Sequence, residues 1–200
     1  MANLITLEEY KIAEGITGMQ QDTRLSDLIT SVSQLVKTYC NNSFVDFVTG
    51  AGKTEDFSIR YGEDFIQLTE SPVITIRSVF EREKPSDLYS AADELVENTD
   101  YYLDQTTDSI YRINSDGSRK SFKSGTGTIR VTYNAGYSTT PEDLKLAVID
   151  LITYYHKDHH RTARQTIAGA SIQNNSSSSR TNSVAFPDHI KRVLDLYKNF

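Results

Sequence analysis

The spacing of the apolar residues changes twice along this chain, and those two changes constrain its fold more than any other feature. In "DTRLSDLITSVSQLVKTYCNN", Leu25, Leu28, Ile29, Val32, Leu35, Val36 and Tyr39 fall at helical spacing on one stripe. From Ser43 to Tyr137 the pattern becomes a series of short runs rich in Ile, Val, Tyr and Phe, such as "TEDFSIRY", "PVITIRSVFE", "DYYLD", "SIYRI" and "TIRVTY". "TGAGK", "YGED", "NSDGS" and "KSGTG" separate them as turns. Then "TTPEDLKLAVIDLITYY" returns to helical spacing through Leu144, Ala147, Val148, Leu151, Ile152 and Tyr155. Two amphipathic helices need cover for their stripes, and each other is the simplest cover. The expected fold is therefore α+β: two long helices packed together, an antiparallel β module of five or six strands inserted between them, and short terminal helices. Leu25, Leu28, Ile29, Val32 and Leu35 should form its core with Val148 and Leu151, and Leu28 and Val32 should face the latter two.

Local signals set the expected ends. Thr6-x-x-Glu9 is a capping-box pattern that starts a helix over 7–14, with Gly15 as its stop. Asp22 is placed to cap a helix over 22–41, which Asn41 and Asn42 end. The β module covers about 43–138, and "EKPSDLYSAADELVENT" inside it reads as a loop with one helical turn. Gly136 ends the last strand. Thr140 is positioned to cap and Pro141 suits the first turn of a helix over 141–160, whose acidic Glu142 and Asp143 favour its positive end.

Residues 1–160 thus read as a core and 161–200 as an arm. "RTARQTIAGASIQNNSSSSRTNS" has four consecutive serines and few large apolar residues, the composition of a flexible tether. "VAFPDHIKRVLDLYKNF" regains periodicity, giving a terminal helix over about 187–198. Phe186, Ile190, Val193, Leu194 and Tyr197 can share a face there, with Pro187 at the start. Such a helix either docks on another molecule or folds back on its own core.

Charge and cysteine content narrow the function. With 27 acidic and 21 basic residues the chain carries −6, which disfavours backbone-driven nucleic-acid binding. Cys40 is the single cysteine, so neither an internal disulfide nor a multi-cysteine metal site can form. The start "MANLITLEEYKIAEG" lacks the pattern of a signal peptide, and no run approaches the ~20 apolar residues of a spanning helix. Expression in a cytoplasm is the expectation.

The candidate chemistry is thin. "TGAGKT" ends like a phosphate-binding loop, but Phe47 stands where the first glycine belongs and a strand follows, so a hairpin turn is the reading. His156 and His160 have a metal-compatible i, i+4 spacing, yet they sit with Asp158 and His159 at a helix end, where histidines also complement the dipole. Cys40 lies near an apolar stripe, the place of an inert buried thiol. No G-x-S-x-G elbow occurs, and the acidic pairs Glu8–Glu9 and Glu81–Glu83 lack motif context. No catalytic residue, cofactor or metal is expected, and an enzyme is disfavoured.

The order of parts resembles the head-to-tail connector (adaptor) proteins of tailed bacteriophages. "LITLEEYKIAEGI" looks like the family's opening, and "RLSDLITSVSQLVKTYCNNSF" like its long helix ending in Tyr-Cys and a polar pair. "IRVTYNAGYSTTPEDLKLAVIDLITYY" is similar to its most recognisable segment, and "FPDHIKRVLDLYKNF" to its terminal helix. The likeness is weak over 47–124. It implies a structural virion protein: a homo-oligomeric ring, commonly of twelve copies, docked on the portal protein. That ring extends the DNA channel without specific DNA binding and offers a platform to the next neck or tail protein. From its own apolar face, apart from the resemblance, the arm is the expected docking element, with a portal or subunit interface at Phe186, Pro187, Ile190, Val193, Leu194 and Tyr197. Another neck or tail-completion role is the alternative, and a DNA-binding module fits the acidic balance poorly.

Overall fold

The computed structural model describes residues 2–84, 86–157, 164–167, 170–173 and 186–199. The chain divides into two compact units, residues 1–42 with 139–200, and residues 43–138.

The first unit is mainly helical. Helix α1, Leu7–Glu14, begins at a reciprocal capping box: Glu9 N donates to Thr6 Oγ1 at 3.1 Å and Thr6 N donates to Glu9 Oε2 at 2.7 Å. Gly15 ends it at φ +67°, the left-handed geometry glycine adopts without strain. Helix α2, Asp22–Cys40, ends at left-handed Asn41. Asp22 does not cap α2. Gln21 holds that position without a side-chain bond, and the Asp22 carboxylate is 2.8 Å from Lys11 Nζ instead. The buried line of α2 is Leu25, Ile29, Val32, Val36 and Cys40, while Leu28, Leu35 and Tyr39 are only half-buried. This corrects the expected core at Leu28 and Leu35. A seven-residue apolar stripe is wider than the face its neighbours cover, so its margin stays partly wet. Polar Ser33 and Lys37 are buried beside the line because their side chains bind Leu4 N and Ala2 O.

Helix α3 spans Glu142–His156 and packs on α2. It buries Leu144, Ala147, Val148, Leu151 and Ile152. Its start differs from expectation. Pro141 is the N-cap rather than the first helical residue, and the Thr140 hydroxyl donates to Leu4 O at 2.7 Å rather than capping the helix. Its end also differs, since Lys157 is the C-cap; residues 158–160 lie outside the described residues. Because Thr140 and Leu4 are both buried, Thr140→Val should leave a buried carbonyl unpaired and destabilise the unit by about 1–3 kcal/mol. Urea unfolding measures this, and a midpoint equal to wild type would refute that role for the hydroxyl.

Where a tether was expected, strands β7, Arg164–Ile167, and β8, Ala170–Gln173, pair antiparallel. Thr166, Ile167 and Ile172 are β-favouring residues, which the serine-rich impression of the whole arm obscured. The serine run itself lies outside the described residues. Helix α4, Asp188–Asp195, packs on α3 and α2.

The second unit, residues 43–138, holds β1, Lys53–Ile59; β2, Phe65–Gln67; β3, Val73–Glu81; β4, Tyr101–Asp104; β5, Ser109–Arg112; and β6, Gly125–Ala135. Two antiparallel three-stranded sheets result, ordered β1-β6-β3 and β2-β5-β4. Ile129, Val131 and Tyr133 alternate along central β6 and pack with Val73, Val79, Ile66, Ile110, Tyr101 and Phe122 in one core. The loop after β3 contains one 3-10 turn, Ala91–Asp93, as its composition suggested.

Candidate assembly surface

The apolar row of the terminal helix lies in a groove of the chain's own helical unit. Phe186, Ile190 and Leu194 recur every fourth residue and are buried, whereas Pro187, Val193 and Tyr197 are half-buried. Of the two outcomes the sequence left open, the row folds back on its own chain, because leaving it in water costs more than laying it on α2 and α3. The Tyr39 ring meets Phe186 edge-on at 4.9 Å. Tyr39 Oη donates to Asp195 Oδ1 and Tyr197 Oη to Asp143 Oδ1, both at 2.6 Å. Asn199 N donates to Cys40 O at 2.8 Å and Cys40 Sγ to Leu194 O at 3.5 Å. Burial, with the Asp195 carboxylate adding to it, pushes both the Tyr39 phenol and the Cys40 thiol up to about 12. At neutral pH Cys40 is thus a neutral thiol that donates to a carbonyl, not a nucleophile.

The other positions singled out in the sequence have structural work. Gly52 stands at φ +75°, and a Cβ there would come within 2.5 Å of Tyr133 O. Lys53 opens β1 with its ammonium 2.8 Å from Glu55 and 3.0 Å from Glu70, so it is committed to two carboxylates rather than free for a phosphate. His156 is the last residue of α3; His159 and His160 lie outside the described residues. Among the described residues no three His, Cys, Asp or Glu side chains are grouped to hold a metal ion, and no helix is long and apolar enough to cross a membrane.

Two exposed surfaces escaped the sequence reading. In the helical unit, Ile12 is 74 % and Leu146 62 % exposed, around a shallow groove of about 400 Å³ with Ile149 and Ala13. Lys145 sits at its rim, 3.0 Å from Glu9 and 3.3 Å from Glu142. In the β unit, the register of β2, β5 and β4 puts Phe65 opposite Tyr111 and Tyr111 opposite Tyr102. Phe65 and Tyr102 are half exposed, and the Arg119 guanidinium lies 4.6 Å from the Tyr111 ring centre. Aromatic and arginine side chains of this kind are enriched in protein–protein contacts. Only the pairing register lines these aromatics up, so no local pattern in the sequence marks the row. Charge is also partitioned. Residues 43–138 contain 16 acidic and 10 basic side chains, and the rest of the chain 11 of each, so the entire −6 belongs to the β unit.

Comparison with known proteins agrees with this architecture along its whole length. A family model described as head completion protein matches residues 3–200. The head completion protein of Escherichia phage T5 is 23 % identical over 197 residues, covering 98 % of each chain. Among solved structures, a chain from the neck of an empty GTA particle, computed with C6 symmetry, superposes with a TM-score of 0.61 at 13 % identity, over 98 % of this chain and 90 % of the other. A chain from the neck of the native GTA particle, computed with C12 symmetry, gives 0.57 at 13 % identity, over 100 % and 96 %. At that identity these two structures establish a shared fold.

Proposed function

The chain belongs to the head completion protein family, and on that premise we propose that it is a non-enzymatic structural protein of the neck of a tailed-phage virion. In this reading it forms a ring of twelve copies on the portal protein, continues the DNA channel and presents a platform to the next neck or tail component. Residues 1–42 and 139–160 make the connector core, 43–138 are a β module inserted into it, and 161–200 are the arm. The observation that carries the reading is the family match over residues 3–200. The neck particles that share the fold, with their C6 and C12 symmetries, support the ring. A ring subunit needs two different lateral patches, and the exposed Ile12–Leu146 groove and the Phe65–Tyr111–Tyr102 row are two unlike surfaces available for that. An excess of acidic residues in the β unit suits a channel through which DNA slides without sticking.

Electron microscopy of the purified chain mixed with its virus's portal protein tests this directly. Added density forming a twelve-fold ring on one end of the portal is the expected result. A portal that stays bare at micromolar concentrations of a folded chain would remove the reading.

A further inference from the structure

We propose that the groove on α2 and α3 that holds α4 also accepts the α4 of a second copy, so that neighbouring subunits are joined by exchange of the terminal helix. The inference deepens the ring reading and rests on it for its biological setting, but not for its chemistry.

Contacts that seat the terminal segment run to residues of α2 and α3. Phe186 meets Tyr39, Asp195 accepts from Tyr39, Tyr197 donates to Asp143, and Cys40 bonds to both Leu194 and Asn199. A second copy brings the same helix, so exchange preserves each of these contacts and asks for no new complementarity. The connection between the two partners is the second observation. Twenty-eight residues separate Lys157, the C-cap of α3, from Phe186 at the start of the docked segment. Helices that pack as neighbours are usually joined by about 2–8 residues. With β7 and β8 paired, the eighteen residues outside that pair, 158–163 and 174–185, can still span up to ~60 Å, so the length of the connection does not confine α4 to its own groove. In an isolated chain the tethered helix is at high effective concentration and fills its own groove. Within a ring each subunit gives its helix to one neighbour and receives one from the other, so closure leaves no groove empty and no helix free.

The test uses two variants that can be linked only between chains. The acceptor carries Ile190→Asp and Leu194→Asp, which free its groove while keeping Cys40. The donor carries Cys40→Ser and Asn199→Cys. The Asn199 N to Cys40 O hydrogen bond of 2.8 Å brings those two positions within disulfide range, and Asn199→Cys alone, in the otherwise native chain, should close internally as the control. On mixing donor and acceptor under mild oxidation, a covalent heterodimer is expected, and a tenfold excess of unmodified chain should suppress it severalfold. No heterodimer after prolonged mixing, with the control closing internally, overturns the proposal. A chain ending at Ala185 serves as a second acceptor. If neither acceptor folds, the helix cannot leave its groove without unfolding the unit, and exchange is again overturned. The portal experiment above involves no engineered thiol. A heterodimer without a portal-bound ring therefore defeats the ring and keeps the exchange, and a ring without a heterodimer does the reverse.

Discussion

Glu81→Ala should destabilise the β unit by about 3–5 kcal/mol, a large share of the ~5–15 kcal/mol that holds a domain folded. Glu81 is the last residue of β3 and Arg112 the last of β5, so their ion pair ties one three-stranded sheet to the other. Both side chains are 5 % exposed, with Arg112 Nη2 3.2 Å from Glu81 Oε2. Arg112 Nη1 also donates to the Asp100 carbonyl and to Ile113 O, and Glu81 Oε1 accepts from Lys123 N at 2.9 Å. Arg112 Nε has no protein partner, so the guanidinium already bears part of its desolvation cost uncompensated. Removing Glu81 leaves the buried guanidinium with one carboxylate, that of part-exposed Asp100, 3.3 Å from Arg112 Nη1. The charge is then under-compensated rather than bare, which puts the expected loss at the lower end of that range. The double variant Glu81→Leu with Arg112→Met removes both charges together and should lose much less than the sum of the single variants. Urea unfolding of the four chains gives the coupling. Strict additivity of the two single losses would show that the pair does not act as a unit.

This pair also marks the boundary of what the sequence discloses. Helix α1 was legible to the residue because its signals are local: Thr6, Glu9 and Gly15 act within one or two turns. The six strands of the β unit were legible as strands, since alternation and turn residues are read within ten positions. Their division into β1-β6-β3 and β2-β5-β4 was not, because β1 and β6 lie some seventy residues apart in the chain and pairing choice leaves no local mark. The same reason hid the Phe65–Tyr111–Tyr102 row and the Glu81–Arg112 pair, each of which exists only once the register is set. Helix α2 failed in a different way. Its stripe held at Leu25, Ile29, Val32 and Val36 but was too wide at Leu28 and Leu35, Lys11 drew Asp22 away from capping, and the N-terminal segment buried Ser33 and Lys37. For α4, the apolar row at 186, 190 and 194 identified a docking face, while periodicity is silent on whose groove receives it.

The second large effect belongs to Gly136. Its φ is +107°, and a Cβ built there would lie 1.9 Å from Phe44 O and 2.9 Å from Phe44 C, inside the backbone of another segment. Two hydrogen bonds hold that crossing: Gly136 N donates to Pro72 O at 2.8 Å, and Tyr137 N to Phe44 O at 2.7 Å. Phe44 is itself buried in left-handed geometry, so the segment cannot easily retreat. Gly136→Ala must therefore push two backbones apart and break those bonds, and a loss of about 4 kcal/mol or more is expected. Gly62 provides the comparison. It shares the positive φ, at +86°, but a Cβ there would meet nothing within 4 Å. Gly62→Ala should cost only the ~1–2 kcal/mol of left-handed backbone for an L residue. Measured side by side in urea, the two substitutions separate crowding from conformation. Equal losses would mean that Gly136 is required for its dihedral angles alone, and that the end of β6 does not depend on close approach to the segment at Phe44.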